Sequence, residues 1–125
     1  MLYTPEMSRR ARAVDLWAAL KYLGREGVDR MVLSLHERAQ QFATELTAAG
    51  FEVVNDVVFN QVMIRVGDQT ATDAFTAAVQ APGEAWVGGS SWFGEPVIRI
   101  SVCSWMTASE DVSRSVRAFV DARSM

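Results

Sequence analysis

The stretch from Val28 to Gly50 constrains the fold more than any other part of the chain. Val28, Met31, Val32, Leu35, Ala39, Phe42, Leu46 and Ala49 recur at intervals of three and four, the spacing that lines one face of an α-helix. Gly50 stands where a helix ends, because glycine takes the left-handed conformation there without a Cβ clash. A helix with one long apolar stripe must lay it against another layer of structure.

An earlier helix is expected ahead of this one. Residues 1–7 read as extended, with Pro5 as a helix entry and Ser8 as a candidate N-cap. Ala13, Leu16, Trp17, Leu20 and Leu23 then fall at helical spacing. The apolar arc is broad enough for cover on two sides, and Gly24 and Gly27 bracket a break before the second helix. Arg9 and Arg10 ahead of Ala13–Leu20 superficially suggest a signal peptide. Asp15 interrupts the apolar run, Lys21 ends it and no small-residue cleavage site follows, so the segment reads as an amphipathic helix. No run reaches the ~20 apolar residues of a membrane span.

The rest alternates between strands and helices. Phe51–Val54 is a short strand, and Asn55-Asp56 a turn. Residues 57–66 alternate, with Val58, Val62, Ile64 and Val66 on one face and Phe59, Gln61, Met63 and Arg65 on the other, as in a strand buried on one side. Thr70 with Asp73 predicts a helix start, and that helix runs to about Ala81 before a Pro82-Gly83 turn. Ala85–Val87 and Val97–Val102 are expected as strands joined by a Gly/Ser loop. By alternation Arg99 faces away from Ile98, Ile100 and Val102. Thr107 and Glu110 predict a capping box for a last helix carrying Val112, Val116, Phe119 and Val120 on one face. The expected order is αα-ββ-α-ββ-α: an α+β fold with an antiparallel sheet of about four strands and helices packed on one face.

With 125 residues, one domain spanning 1–125 is expected. The net charge of −3 and the lack of a large Lys/Arg cluster argue against nucleic acid as a partner. Cys103 is the single cysteine, which rules out an internal disulfide and fits a reducing, cytoplasmic setting. Four Trp and six Met are many for this length. They suggest a face that packs on something else, with Trp17, Trp86 or Trp92 at that surface.

Residues with chemical potential are few. His36 is the single histidine and falls on the polar side of its helix beside Glu37, so a solvated surface histidine is expected rather than a general base. One Cys and one His without clustered partners make no zinc site. Trp86-Val87-Gly88-Gly89-Ser90-Ser91-Trp92 has neither the Lys-Ser/Thr end of a P-loop nor the spacing of a dinucleotide fingerprint. It reads as a strand end leading into a flexible hairpin loop, with two Trp that offer a contact surface. Arg9, Arg10 and Arg12 sit at a helix start, where positive charge is mildly unfavourable. They are either a solvated basic turn or groups recruited to bind a carboxylate or phosphate.

Four strings, in order along nearly the whole chain, carry a resemblance. Ser8-Arg9-Arg10-Ala11-Arg12-Ala13-Val14-Asp15-Leu16-Trp17 resembles the S-R-R-x-R-x-x-x-x-W run of the group II pyridoxal-phosphate (PLP)-dependent amino-acid decarboxylases. Leu23-Gly24-Arg25-Glu26-Gly27 is similar to the glycine break that follows it there, and Asn60-Gln61-Val62 to a second-strand segment. Val97–Cys103 followed by Thr107 is similar to the last strand and helix cap. Asp15 departs from the pattern, since many members carry lysine there.

The resemblance implies the C-terminal small domain of a fold-type-I PLP enzyme. A large PLP-binding domain, a homodimer and an amino-acid substrate would then be its partners. The family's Schiff-base lysine, pyridine-facing aspartate, ring-stacking histidine and phosphate cup lie upstream of the matched region. Lys21, the single lysine, has no preceding histidine and no phosphate loop, and reads as a surface side chain. The chain is therefore expected to bind no PLP alone and to be inactive alone, as a truncated product, a fragment or half of a split enzyme. The resemblance also implies Arg9 and Arg10 as contacts to substrate or to a catalytic loop. A stand-alone ligand-binding or dimerisation module, or the small domain of an aminotransferase, is the alternative.

Overall fold

The computed structural model describes residues 10–124. The elements are α1 (Arg12–Ala48), β1 (Glu52–Val53), β2 (Gln61–Arg65), α2 (Gln69–Gln80), β3 (Gly88–Trp92), β4 (Glu95–Ser101) and α3 (Ser109–Arg123). The chain forms two compact units, Met1–Val32 and Leu33–Met125.

In the first unit the expected break falls at Gly24. Its φ of 61° and ψ of −177° interrupt α1, a conformation open to glycine and strained for other residues. Gly27 is needed for a different reason: a Cβ there would stand 3.0 Å from the Leu23 Cβ. The expected two helices are thus present within the span α1, one on either side of Gly24. Between Arg12 and Tyr22 every side chain is exposed, including Val14, Leu16, Trp17 and Leu20. The expected extended segment 1–7, Pro5 and the Ser8 cap lie outside the described residues.

The second unit holds the core. Four strands form one antiparallel sheet in the order β1-β2-β4-β3. Since β4 separates β2 from β3, the β2-α2-β3 connection is a split β-α-β arrangement. Val62, Ile64, Ile98 and Ile100 on one sheet face pack with Ala39, Phe42 and Leu46 of α1, Val79 of α2, and Val112, Val116 and Phe119 of α3. Phe51, Phe75 and Phe119 meet with centroids 5.9–6.1 Å apart; Phe51, just ahead of β1, meets Phe75 of α2 and Phe119 of α3 edge to face. Gly50 ends α1 with φ 82°, as expected. Arg123 seals that end: its guanidinium donates to the carbonyls of Ala49 (2.9 Å) and Gly50 (3.1 Å) and lies 3.6 Å from the Phe51 ring centroid.

Several local expectations are corrected. The alternation from residue 57 becomes a strand only at Gln61, and Val58 is 84% exposed. Side chains of α1 take up the backbone of the preceding loop instead: Gln40 Nε2 donates to the Val57 carbonyl (2.6 Å) and His36 Nδ1 lies 2.9 Å from the Phe59 carbonyl. His36 is therefore half-buried and structural rather than freely solvated. The cap of α2 is Asp68, whose carboxylate accepts from the Ala71 N–H at 2.8 Å, two residues ahead of the expected Thr70. At α3 the residue Asp111, not Glu110, reaches back to the N–H of Ala108 (2.9 Å). Val120 is exposed, while Val112, Val116 and Phe119 are buried as expected.

The largest correction concerns the Gly/Ser stretch. Gly88–Trp92 is a strand, paired along its whole length with β4 from Gly88↔Arg99 to Trp92↔Glu95. The loop is only Phe93-Gly94, with φ of 50° and 85°, the two positive values of a type I′ hairpin turn. The low strand propensity of Gly and Ser is overridden by the continuous ladder with an apolar central strand.

Candidate functional site

Antiparallel pairing of β2, β4 and β3 brings three irregular segments to one end of the sheet: 57–60, 84–87 and 102–107. A cleft of about 510 Å³ opens among the second and third of these and the start of α3. Phe42, Val87, Ile100 and Phe119 give it an apolar floor. Trp86 and Met106 form an exposed rim.

Its charged wall is internally ion-paired. Arg114 Nε lies 3.1 Å from Glu84 Oε2 and Arg114 Nη2 lies 2.8 Å from Asp111 Oδ1. The guanidinium fork is thus shared between two carboxylates, which leaves the trio with one net negative charge. Sequence reasoning missed this trio, because the spacing of Glu84, Asp111 and Arg114 carries no motif; only the meeting of the β3 approach with α3 assembles it.

Among the described residues lining the cleft there is no histidine. Cys103 is exposed, and its sulfur meets the Asn60 amide at 3.8 Å. Nucleophilic chemistry needs a base within hydrogen-bond reach, and His36 is engaged with the Phe59 carbonyl. Among the described residues no group of three His, Cys, Asp or Glu side chains is placed to hold a metal. An apolar floor, an ion-paired wall and a rim of Trp86 and Met106 suit the seating of an apolar segment.

The residues singled out from sequence lie elsewhere. Arg9 is outside the described residues. Arg10 is exposed in the first unit, with Nη2 2.6 Å from Asp15 Oδ2; the carboxylate offsets positive charge at the helix start. The structure thus brings Arg10 to Asp15. Lys21 is exposed on α1 between Leu20 and Tyr22, and no lysine lines the cleft. PLP needs an anchoring amine and a partner for its ring nitrogen, and the described residues lining the cleft do not fit it. Trp17 and Trp86 are exposed and Trp92 is half-buried. Among the described residues no helix is long and apolar enough to cross a membrane.

No family model matches the chain. Solved structures do. Over 96% of its length it superposes on Oryza sativa TDC with PLP and tryptamine, at TM-score 0.82 and 20% identity, covering 28% of that chain. Its fold is that of the C-terminal part of PLP-dependent decarboxylases. Catharanthus roseus tryptophan decarboxylase in complex with L-tryptophan matches 95% of the chain at TM-score 0.77 and 18% identity, over 28% of its own length. Rhodiola rosea 4-hydroxyphenylacetaldehyde synthase matches 94% at TM-score 0.79 and 20% identity, over 27% of its own length. The chain spans a little over a quarter of the proteins it matches. The three helices and the four-stranded antiparallel sheet agree with the α+β fold expected from sequence.

Proposed function

We propose that this chain is the C-terminal small domain of a PLP-dependent L-amino-acid decarboxylase, a carboxy-lyase that releases CO2 from an amino acid. The observation that carries the reading is the superposition of almost the entire chain on about a quarter of PLP-bound TDC, joined to four decarboxylase-like strings in the same order. The poor fit of the cleft's described residues to PLP supports a division of labour. The cofactor is held by a large domain, and this part shapes and closes the site. Alone, it is inactive.

In this reading the large PLP-binding domain is the principal partner, the assembled enzyme is a cytoplasmic homodimer, and Arg9 and Arg10 contact the substrate or a catalytic loop. The guanidinium fork is suited to a carboxylate. The Asp15 carboxylate already beside Arg10 competes for that contact, so Asp15 bears on which substrates are accepted.

The test uses the full chain. Mixed with PLP and reduced with borohydride, it retains no cofactor by mass spectrometry. Given a panel of L-amino acids, it releases no CO2. Joined to the large domain of a TDC-like enzyme whose own small domain has been deleted, it restores decarboxylation. A stoichiometric reduced adduct at Lys21 overturns the reading. Failure of the soluble chimera to turn over any amino acid favours a stand-alone binding module.

A further inference from the structure

We propose that β3 pairs edge to edge with β3 of a second copy of this chain, antiparallel, about a two-fold axis through Ser90. The strand is at the end of the sheet order β1-β2-β4-β3. Its hairpin register fixes which backbone groups are spoken for. In a two-residue type I′ hairpin the flanking pair, here Trp92↔Glu95, exchanges both hydrogen bonds. By alternation Trp92, Ser90 and Gly88 aim their N–H and C=O groups at β4, while Gly89 and Ser91 aim theirs outward. Among the described residues nothing else bonds to those outward groups.

Edges of this kind are normally blunted by a lysine, a proline or a bulge. Gly88-Gly89-Ser90-Ser91-Trp92 has no charge and no proline, and its register with β4 runs without a bulge. The edge is open, and two copies of it do not repel.

The strand is also complementary to itself. Centring an antiparallel pair on Ser90 sets Gly89 opposite Ser91 of the second copy, so all the outward N–H and C=O groups of both strands find partners. The same register sets Trp92 opposite the second copy's Gly88. Just past the strand ends it sets Trp86 opposite the second copy's Gly94. Cβ atoms built at Gly88, Gly89 and Gly94 would meet nothing within 4 Å, so open space lies where the tryptophan rings would sit. An aromatic side chain across from a strand glycine covers the backbone that glycine leaves bare. Trp86 and Phe93 are 87% and 91% exposed in one copy; the pairing draws both toward the second.

Five residues per copy bury less than the roughly 1,200 Å² of a stable interface. The association is therefore weak and visible only at high concentration. Sedimentation of the full chain from low-micromolar to near-millimolar concentration is expected to show a monomer–dimer equilibrium. Ser91→Pro removes an outward donor without touching the β4 ladder, and Gly89→Lys places charge on the edge. Each variant is expected to raise the dimer Kd by at least about tenfold with an unchanged circular dichroism spectrum. In a Cys103→Ser background, Ser90→Cys is expected to form a covalent dimer on mild oxidation, since equivalent residues face each other across the axis. Ser91→Cys, two positions out of register with its own copy, is expected to stay monomeric. A wild-type chain that is monomeric throughout overturns the proposal and leaves the edge to another protein's strand. A dimer unaffected by Ser91→Pro and Gly89→Lys, or cross-linked equally by both cysteines, overturns it too. These readouts are independent of PLP and of decarboxylation.

Discussion

The stretches Arg12–Leu23 and Leu35–Ala49 lie on either side of the Gly24 break and carry apolar residues at the same spacing. Their surroundings differ completely. In the second stretch Ala39 and Leu46 are fully buried and Phe42 nearly so. In the first, Leu16 and Trp17 are each 62% exposed. Periodicity states that a face needs a partner; it does not state that the same chain supplies one. For Leu35–Ala49 the partner is the sheet and α3. For Arg12–Leu23, on the function proposed above, it is a large domain.

The largest test of this contrast is Phe119→Ala. Phe119 is fully buried and touches both Phe51 and Phe75. Truncating such a ring removes its transfer energy and leaves a cavity, so a loss of about 3–5 kcal/mol is expected, read as a lower urea midpoint. A loss below about 1 kcal/mol would mean that the two regions do not differ as described.

The fold was legible wherever periodicity met a boundary signal. The stripe from Leu35 to Ala49, the break at Gly24, the Gly50 terminus and the Val62/Ile64 and Ile98/Ile100 faces all declared themselves through local pattern. β3 was hidden because glycine and serine have little strand propensity, and its identity depends on pairing with β4. The loop 57–60 was hidden for the opposite reason. Val57-Val58-Phe59 looks like strand, but Gln40 and His36 satisfy its backbone from α1. The cleft was illegible, since its lining comes from three distant stretches, around Phe42, around Glu84 and from Met106 to Arg114. Arg9 and Arg10 stood out as positive charge at a helix start and again in the family-like string around them, but only the structure reveals that Arg10 is paired with Asp15.

A functional test sharpens the comparison next. If Arg9 or Arg10 holds a carboxylate or a loop in the assembled enzyme, alanine substitution removes a charge-assisted, bidentate-capable contact. The expected loss in kcat/KM is on the order of 10- to 100-fold, or roughly 1.4–2.8 kcal/mol. Circular dichroism should be unchanged, and Arg→Lys should rescue only in part, because an ammonium lacks the guanidinium fork. Asp15→Asn adds a second reading. Freeing Arg10 from its 2.6 Å ion pair should shift KM more than kcat. Wild-type kinetics in both alanine variants would remove the pair from the site.

A smaller effect tests how local signals act within the packed region. Asp68→Ala deletes the side-chain acceptor for the Ala71 N–H, and a cap of this kind contributes about 1 kcal/mol. Thr70→Ala should change stability by less than about 0.5 kcal/mol, since Thr70 lies inside α2 rather than at its cap. Equal losses in the two variants would restore the capping position expected from sequence.

The smallest expected effect is the most informative about the first region. Trp17 is exposed on a helix whose residues from Arg12 to Tyr22 are all exposed. Its ring makes no core contact to lose, so Trp17→Ser in the isolated chain should move the unfolding free energy by no more than about 0.5 kcal/mol. The same change should lower the binding of a hydrophobic dye, because it removes the largest side chain from an exposed apolar face. In the chimera with a large domain the result should invert. There the ring is expected to be covered, and its loss should cost about 3–5 kcal/mol in the stability of the joined protein, as for other buried aromatic side chains. A tryptophan silent in the part and costly in the whole identifies a face built for an absent partner. A tryptophan costly in the isolated chain would show that Arg12–Leu23 already packs within it, and the contrast between the two halves of α1 would collapse.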